Sequence, residues 1–434
     1  MKIFNNPAKK LWPELVQRPQ LELGFLDSAV KNIMDRVRRC GDQAIKELTL
    51  QYDKANVDVV LVSEHEILEA GKEVATELRE AIGVAATNIE KFHAAQRREI
   101  LDLETTSGVR CWRKGVPIDK VGIYVPGGSA PLFSTVLMLG IPAKLSGCRQ
   151  VVLCTPPDRN GKVHPAILYA ASLVGITKIY KVGGAQAIAA MTFGTESIPA
   201  VYKIFGPGNQ FVTKAKQLAM DQGIAIDMPA GPSEVLILAD ESANPSFVAA
   251  DLLSQAEHGE DSQVILVTLS ENLRGDVREH LARQLETLPR KSIAERALAN
   301  SSAVFFSQLT AAIDFVNAYA PEHLILNLKD PHASAEKIIN AGSVFLGNYT
   351  PEAIGDYASG TNHTLPTNGF ARAYAGVSLE SFIKYITFQE VTEVGIMKLG
   401  PVVEKMAIAE ELMGHQLAIR VRLDEIELKS SPAS

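Results

Sequence analysis

The sequence predicts an α/β protein with two parallel-rich sheets, a helical N-terminal segment and a C-terminal helical arm. Between about residues 120 and 239, short β-branched runs alternate with Gly/Pro loops and helical patterns, and a second alternation extends to about residue 345. The length agrees with two cores, because 434 residues exceed the roughly 250 to 300 at which a single core stops growing.

Composition excludes several classes of protein. Hydrophobic residues make up 46% of the chain and charged residues 21%, with no biased tract typical of fibrous or disordered proteins. Asp and Glu number 50 against 43 Lys and Arg, and the net charge of −7 argues against a broad nucleic-acid-binding surface. We therefore expect a small-molecule substrate and no nucleic acid.

The first 24 residues predict a short N-terminal arm without an export signal, because they hold no long apolar stretch. The longest uncharged run, residues 121–143, contains three prolines and four glycines, so we interpret it as strand, loop and helix and expect no membrane association. The chain has four cysteines: Cys40, Cys111, Cys148 and Cys154. They form no CxxC pair and no disulfide framework, which favours a cytoplasmic location.

Helical periodicity governs both ends of the chain. Apolar residues recur three and four apart from Asp27 to about Gln96, yet this stretch has no strands of its own. We therefore expect residues 25–120 to pack with residues 234–378 in a first α/β domain. The periodicity returns over residues 379–434, longest from 402 to 428, and predicts a separate helical arm.

The strands between these ends follow in order. The central runs are VGIYV, QVVLCTPP, KIYKVGG, VYKIFGPG and VLILA. Most of them fall in residues 121–233, which we predict to be an inserted α/β domain. The second passage contains a helix over 247–258, the strand QVILVTL, a helix over 272–288, and the strands AVFF and SVFLG.

Glycine-rich loops follow three of the central strands. They are VPGGSAP, VGGAQA and GPGNQF. Glycine lets main-chain N–H groups approach a phosphate at a helix N-terminus. None of the loops completes the GxGxxG fingerprint, so taken alone they indicate tight turns between strand and helix.

Zinc-binding residue types occur in separate segments. In LSQAEHG, a helix capped by Gly259 would place Gln255 and His258 on one face. Asp356 and His363 fall in GDYASGTNH, which we interpret as a long polar loop with nitrogen and oxygen donors that suit zinc. Each segment alone also fits a structural role, as a helix cap or an Asx turn.

The dipeptide Glu322-His323 follows Pro321 and precedes an apolar run, so an acid and a base lie together where a loop enters a strand. Such a pair can divide proton transfers between groups of different pKa. The chain has no GxSxG elbow and no cysteine with an adjacent histidine, which argues against covalent hydrolysis.

Seven segments in order carry a resemblance to a known family: VPGGSAPLFSTVLMLGIPAKLSGC, VGGAQAIAA, KIFGPGNQFV, DMPAGPSEVL, DLLSQAEHG, PEHL and GSVFLGNYTPEAIGDYASGTNHTLPT. From about residue 25 to 425 the chain resembles the histidinol dehydrogenase family. That resemblance implies oxidation of L-histidinol through L-histidinal to L-histidine with two NAD, in the last steps of histidine biosynthesis. It also implies a homodimer with one Zn²⁺ per subunit and two incomplete Rossmann-like domains. The C-terminal arm would reach the partner's active site.

The resemblance also implies roles for individual residues. The zinc ligands would be Gln255, His258, Asp356 and His415, the last from the partner subunit. The catalytic pair would be Glu322 and His323. The substrate would contact Ser233, Gln255, His258, His323, Asp356, His363, Glu410 and His415. The inserted domain would bind NAD through Tyr124, Gln186 and Asn209.

The C-terminal arm leaves one residue assignment open. Glu410 and His415 are five apart, about 140° around an ideal helix, whereas Glu411 and His415 share a face. A break at Gly414 would bring Glu410 to the same side. Whether Glu410 or Glu411 faces the substrate therefore stays open.

The sequence leaves two alternatives to histidinol oxidation. A relative could oxidise a different small alcohol, such as a sulfonated diol, with the same zinc and NAD. The presence of His363, Glu410 and His415 favours histidinol. A non-catalytic nucleotide-binding or scaffold protein is disfavoured, because every zinc and catalytic position has a candidate. The sequence does not determine whether the protein prefers zinc, manganese or cobalt.

Overall fold

The computed structural model describes residues 1–19, 24–127, 130–229 and 231–430. They divide into two units, one of residues 1–96 and 118–382, the other of residues 97–117 and 383 onward. In chain order the described strands are β1 Lys2–Asn5, β2 Leu101–Thr106, β3 Val109–Pro117, β4 Lys120–Tyr124, β5 Gln150–Thr155, β6 Lys178–Lys181, β7 Lys203–Phe205, β8 Ala225–Ile226, β9 Glu234–Ala239, β10 Gln263–Thr268, β11 Ser302–Phe305, β12 His323–Asn327, β13 Ser343–Leu346 and β14 Ile383–Val391.

The described helices are α1 Trp12–Leu15, α2 Gly24–Tyr52, α3 Glu64–Glu73, α4 Thr76–Ala94, α5 Phe133–Ser146, α6 Pro165–Val174, α7 Gly184–Phe193, α8 Gln210–Met220, α9 Pro245–Ala256, α10 Glu271–Leu285, α11 Lys291–Ala299, α12 Leu309–Tyr319, α13 Pro331–Ala335, α14 Glu352–Tyr357, α15 Glu393–Ala409 and α16 Met413–Ser430. Among the described residues, no helix is both long and apolar enough to cross a membrane.

The central strands form a parallel sheet in the order β6-β5-β4-β7-β8, as the sequence predicts. Strand β4 lies in the middle, and Tyr124 is its last residue. The glycine-rich loops leave the carboxyl ends of β4, β6 and β7. Ligands of open α/β sheets bind at this edge.

The N-terminal helices do not pack where the sequence analysis expected them. Helices α2, α3 and α4 cover the crossover helices α7, α6 and α5 of the five-stranded sheet. Val30 and Ile45 of α2 share a core with Ile188 of α7, and Ile89 of α4 shares another with Leu139 of α5. The prediction that residues 25–120 pack with residues 234–378 is therefore wrong for these helices. An apolar face requires a cover but does not specify which sheet provides it.

The second parallel sheet has the order β1-β11-β10-β9-β12-β13. Its central strands β9, β10 and β12 are buried throughout, which explains their continuous apolar sequences. The first residues of the chain are not a separate arm, because β1 pairs with β11 from Lys2↔Ser302 onward. Trp12 is buried against Phe306 and Phe315, so this segment belongs to the core.

The smaller unit contains an antiparallel sheet that the sequence analysis missed. A hairpin of β2 and β3 pairs with β14, and helices α15 and α16 follow. The prediction that the chain after residue 379 is helical is wrong for β14. The hairpin falls within residues 25–120 of the predicted first domain but belongs to the smaller unit instead. Both outer strands are exposed over most of their length, so they lack the apolar runs that reveal a buried strand.

The predicted helix over residues 402–428 is two helices. Helix α15 ends at Ala409, and α16 begins at Met413. Between them Glu411 has a φ of 59°, a left-handed conformation that an α-helix does not accommodate. Apolar periodicity continues across this break, so the pattern alone did not reveal it.

Candidate active site

Glu322 and His323 lie where the chain enters β12, which pairs directly with β9 in the six-stranded parallel sheet. Both side chains are buried. Pairing with β9 brings Glu234 beside them, and its main-chain N–H donates to Glu322 Oε2 at 2.9 Å. His323 Nδ1 lies 3.3 Å from the carbonyl oxygen of Glu234 and 3.6 Å from Glu322 Oε2. The acid and the base are thus adjacent in space as well as in sequence.

A second pair of carboxylates faces His323 from helix α14. Glu352 and Asp356 are four residues apart and share a face of this helix. Each offers an oxygen that lies within 4.8 Å of the other's and of an His323 ring nitrogen. His323 Nε2 is 3.3 Å from Asp356 Oδ1 but not aligned for a hydrogen bond, and within the described chain Nε2 and Glu352 Oε2 have no bonding partner. These nitrogen and oxygen donors, buried in His323 and Glu352 and half-buried in Asp356, fit a divalent cation.

The charges of this cluster act on one another. Burial lowers the pKa of His323, but the nearby charges of Glu352 and Glu322 outweigh burial and hold that pKa well above its ordinary value. Burial raises the pKa of Glu352. For Asp356, burial is outweighed by the nearby His323 ring, which lowers the pKa of that carboxyl. The cluster therefore carries an excess of negative charge that a proton or a cation must balance.

Gln255 and His258 approach the cluster from the end of α9. The buried Gln255 amide fits best with its nitrogen donating to Glu352 Oε1 at 2.5 Å and its oxygen accepting from the N–H of Glu234 at 2.7 Å. His258 is exposed, and its Nδ1 donates to the carbonyl of Ser254 at 2.9 Å, which leaves the Nε2 lone pair free. The predicted helical pairing is wrong in detail, since α9 ends at Ala256 and His258 follows in a turn.

His363 contacts the main chain of Asp356. Its Nδ1 donates to the carbonyl of Asp356 at 2.8 Å, and its Nε2 is 3.1 Å from Thr135 Oγ1. Burial lowers the pKa of His363, which favours the neutral ring. Asp356 lies on α14 and not in the predicted polar loop. Ser233 is half-buried and immediately precedes β9.

The three residues predicted to bind NAD line one cavity of about 1430 Å³ beside the five-stranded sheet: Tyr124, Gln186 and Asn209. The Tyr124 hydroxyl accepts from the N–H of Gly184 at 3.0 Å. Asn209 caps α8 by accepting from two main-chain N–H groups at 3.0 and 3.2 Å. The described lining includes none of the catalytic or zinc candidates.

Glu410 and His415 belong to the smaller unit, and both are exposed. Glu410 follows the last residue of α15, whereas His415 lies in the first turn of α16. The helix is interrupted not at Gly414 but at residues 410–412. The angle calculated for one ideal helix does not apply to this pair.

Sequence reasoning missed three buried charged residues near the site: Arg18, Glu234 and Glu352. Glu352 could have been found, because its spacing of four from Asp356 places both on one helix face. The pairing of Arg18 with Glu234 joins residues 216 positions apart and leaves no local signal.

Two parallel sheets, a large cavity at the edge of one and a buried His-carboxylate cluster in the other define an α/β enzyme that acts on a small molecule. The sequence matches the family profile described as histidinol dehydrogenase over residues 16–423. It is 59% identical over 426 residues to histidinol dehydrogenase of Bacteroides fragilis (strain YCH46), covering 98% of this chain and 100% of that relative.

The chloroplastic histidinol dehydrogenase of Arabidopsis thaliana is 50% identical, with 96% of this chain and 89% of that protein covered. The crystal structure of histidinol dehydrogenase from Elizabethkingia anophelis superposes with a TM-score of 0.96 at 56% identity, covering 98% of this chain and 99% of that one. The chain belongs to the histidinol dehydrogenase family and is an oxidoreductase.

Proposed function

We propose that this chain oxidises L-histidinol through L-histidinal to L-histidine with two NAD, as a zinc-dependent homodimer of the cytoplasm. The observation that carries the proposal is the cluster of buried His323 and Glu352 with half-buried Asp356, beside buried Glu322. It combines an acid-base pair with donors for a cation, in a chain of the histidinol dehydrogenase family.

Gln255, His258 and Asp356 would hold the zinc, with His415 donated by the second copy. Their chemistry fits, since these are the nitrogen and oxygen donors that zinc accepts. The bond from His258 Nδ1 to Ser254 directs Nε2 outward as a ligand. A carbonyl oxygen has two lone pairs, so the Gln255 oxygen retains one beside its bond to Glu234. When bound, zinc would hold the imidazole and amine of the substrate and offset the charge of Asp356, and its positive charge would lower the pKa of the neighbouring His323 so that the ring can accept a proton.

Two oxidations then proceed at one carbon. In the first, His323 takes the hydroxyl proton while the carbinol C–H leaves as hydride to NAD⁺, which gives the aldehyde and NADH. Glu322 next removes a proton from water as the water oxygen adds to the aldehyde carbon, and His323 returns its proton to the aldehyde oxygen, which completes the hydrate and restores the neutral imidazole. His323 takes a proton from the resulting hydrate while a second NAD⁺ accepts hydride, and the acid forms.

The remaining groups select and enclose the substrates. Ser233, His363 and the arm residue Glu410 would contact histidinol, while Tyr124, Gln186 and Asn209 would contact NAD. Burial raises the pKa of the Cys154 thiol and also that of Cys148. Neither therefore supplies the thiolate that a covalent aldehyde mechanism needs. The cysteines of the described chain are free, which agrees with a reducing compartment.

The purified protein tests the proposal. With histidinol and NAD we expect two NADH per histidinol by absorbance, and one zinc per chain by elemental analysis. His258→Asn should lose zinc and activity with an unchanged circular dichroism spectrum, while the exposed His332→Asn serves as the matched control. Turnover of a sulfonated diol and not of histidinol would move the assignment to that alcohol. Full zinc content in the His258 variant would refute the ligand set.

A further inference from the structure

Glu234, the first residue of β9, is a fully buried carboxylate whose charge is balanced by Arg18. Arg18 Nε donates to Glu234 Oε2 at 2.6 Å, and Arg18 Nη2 donates to Oε1 at 2.8 Å. The guanidinium lies 3.6 Å from the ring centre of Tyr319 and is itself buried. A planar fork stacked on an aromatic ring holds the carboxylate in one orientation.

Glu234 forms hydrogen bonds to both the main chain and the side chain of Glu322. Its Oε1 accepts from the N–H of Glu322 at 3.2 Å, and its own N–H donates to Glu322 Oε2 at 2.9 Å. Its carbonyl oxygen lies 3.3 Å from His323 Nδ1, the nitrogen that fixes the tautomer of the ring. Arg18 also reaches the carbonyl of Ala320, at 3.4 Å. Ala320 has a left-handed φ of 55°, so this contact supports a strained turn just before the pair.

We propose that Arg18 is a positioning residue for catalysis, which acts through Glu234 to fix Glu322 and His323. The inference rests on the proposed acid-base roles of those two residues. A contribution to stability alone does not explain the buried ion pair of Arg18 and Glu234, because a buried ion pair is often no more stabilising than apolar residues of the same volume. Accurate placement of Glu322 and His323 does explain the ion pair, since a shift of about 1 Å in a reacting group can cost about a hundredfold in rate.

Three variants separate positioning from simple structural support. Arg18→Lys keeps the charge but loses the fork, and we expect kcat for histidinol to fall about tenfold or more while the KM for NAD stays within about twofold. Glu234→Gln should behave in the same way. Arg18→Met combined with Glu234→Gln removes both charges at similar volume and leaves no unpaired buried charge. The urea concentration at the midpoint of unfolding should therefore be close to that of the wild type. The kcat of this double variant should stay at least about fivefold low.

The double variant distinguishes a positioning role of Arg18 from a purely structural one. Recovery of kcat together with the urea midpoint would show a structural role only and overturn the proposal, as would unchanged kcat in Arg18→Lys. Val277→Ala truncates a buried side chain in the core beside the same sheet and controls for lost stability without lost polar contacts. Glu322→Gln and His323→Asn are measured in parallel. If these two keep wild-type turnover, the proposed function fails; if they lose it while Arg18→Lys and Glu234→Gln do not, only the positioning role fails.

Discussion

Asp53 is a carboxylate with an unusual environment in the cavity that we assign to NAD. It lies just beyond the end of α2, is half-buried and lines the cavity. Its Oδ2 has no hydrogen-bond partner within the described chain. Burial raises the pKa of this carboxyl to about 6. The folded protein therefore binds the proton more tightly than the unfolded chain, where the pKa is about 3.9.

The sign of the pH dependence follows from that difference. The stabilising contribution of Asp53 is fully present below about pH 4 and is lost as the pH rises through 6. Asp53→Asn removes the titration, so its free energy of unfolding relative to wild type should rise by about 1 to 2 kcal/mol between pH 4 and pH 7.5. This is less than the full shift implies, because water screens the exposed part of the carboxyl. Urea unfolding without metal or nucleotide measures the difference.

A carboxylate in water provides the comparison. Asp58→Asn, at an exposed position on the loop that follows, is the matched control and is measured over the same pH range. A difference between Asp53→Asn and wild type that is independent of pH would contradict the prediction.

Single residues of the site were predictable where the chemistry is local. Glu322 and His323 are adjacent in sequence, so any fold that buries the start of β12 keeps them together. Glu352 required the helix α14 to be recognised first, because only the helical turn brings it beside Asp356. Arg18 has no signal at all in the sequence near Glu234, since the contact depends on how the whole sheet closes.

Helix α3 shows how a short helix can shape the cavity wall. Its start is a capping box, in which Ser63 Oγ accepts from the N–H of Glu66 at 3.2 Å and Glu66 Oε2 accepts from the N–H of Ser63 at 3.0 Å. Ile67 and Ala70 are buried on its inner face, while Glu66 and Glu69 line the cavity. The cap therefore fixes where the inner face begins.

Removing this cap should have a modest and specific cost. Ser63→Ala loses the acceptor, and we expect the free energy of unfolding to fall by about 1 kcal/mol. Ser63→Thr keeps an acceptor oxygen and should retain most of the stability. Chemical denaturation of both variants measures the difference; equal stability of the alanine variant and the wild type would be inconsistent with a capping role.

Elements were predicted well where they are buried on both faces. The parallel strands appear as continuous β-branched runs, so their positions follow from the sequence. The hairpin of β2 and β3 has no such run, because it is largely exposed. The partners of α2, α3 and α4 could not be predicted, since an amphipathic pattern shows which face is covered but not by which helix.

The assembly of the enzyme is tested by mixing inactive chains. If His415 completes the site of a second copy, His415→Ala and His323→Ala are each inactive, but a mixed dimer holds one intact site. Random exchange makes about half of the dimers mixed, so activity should recover to roughly a quarter of wild type. The NADH assay measures this recovery after subunit exchange has been verified by mass.

A second mixture is the control for that experiment. Glu322→Ala and His323→Ala alter the same unit of the chain, so every mixed site lacks one of the two and no activity should return. Absence of recovery in the first mixture, with exchange verified, would mean that His415 does not serve a partner.

The pairing of β1 with β11 has a consequence for synthesis on the ribosome. Lys2 is made first, but its partner Ser302 emerges only after some three hundred further residues. At roughly 5 to 20 residues per second this interval is roughly 15 to 60 s. The five-stranded sheet and its covering helices are complete by Ile226, so they can fold during the interval. Arg18 enters its site only later, when Glu234 and the strands around it have left the ribosome, and the acid-base pair is therefore ordered after the five-stranded sheet.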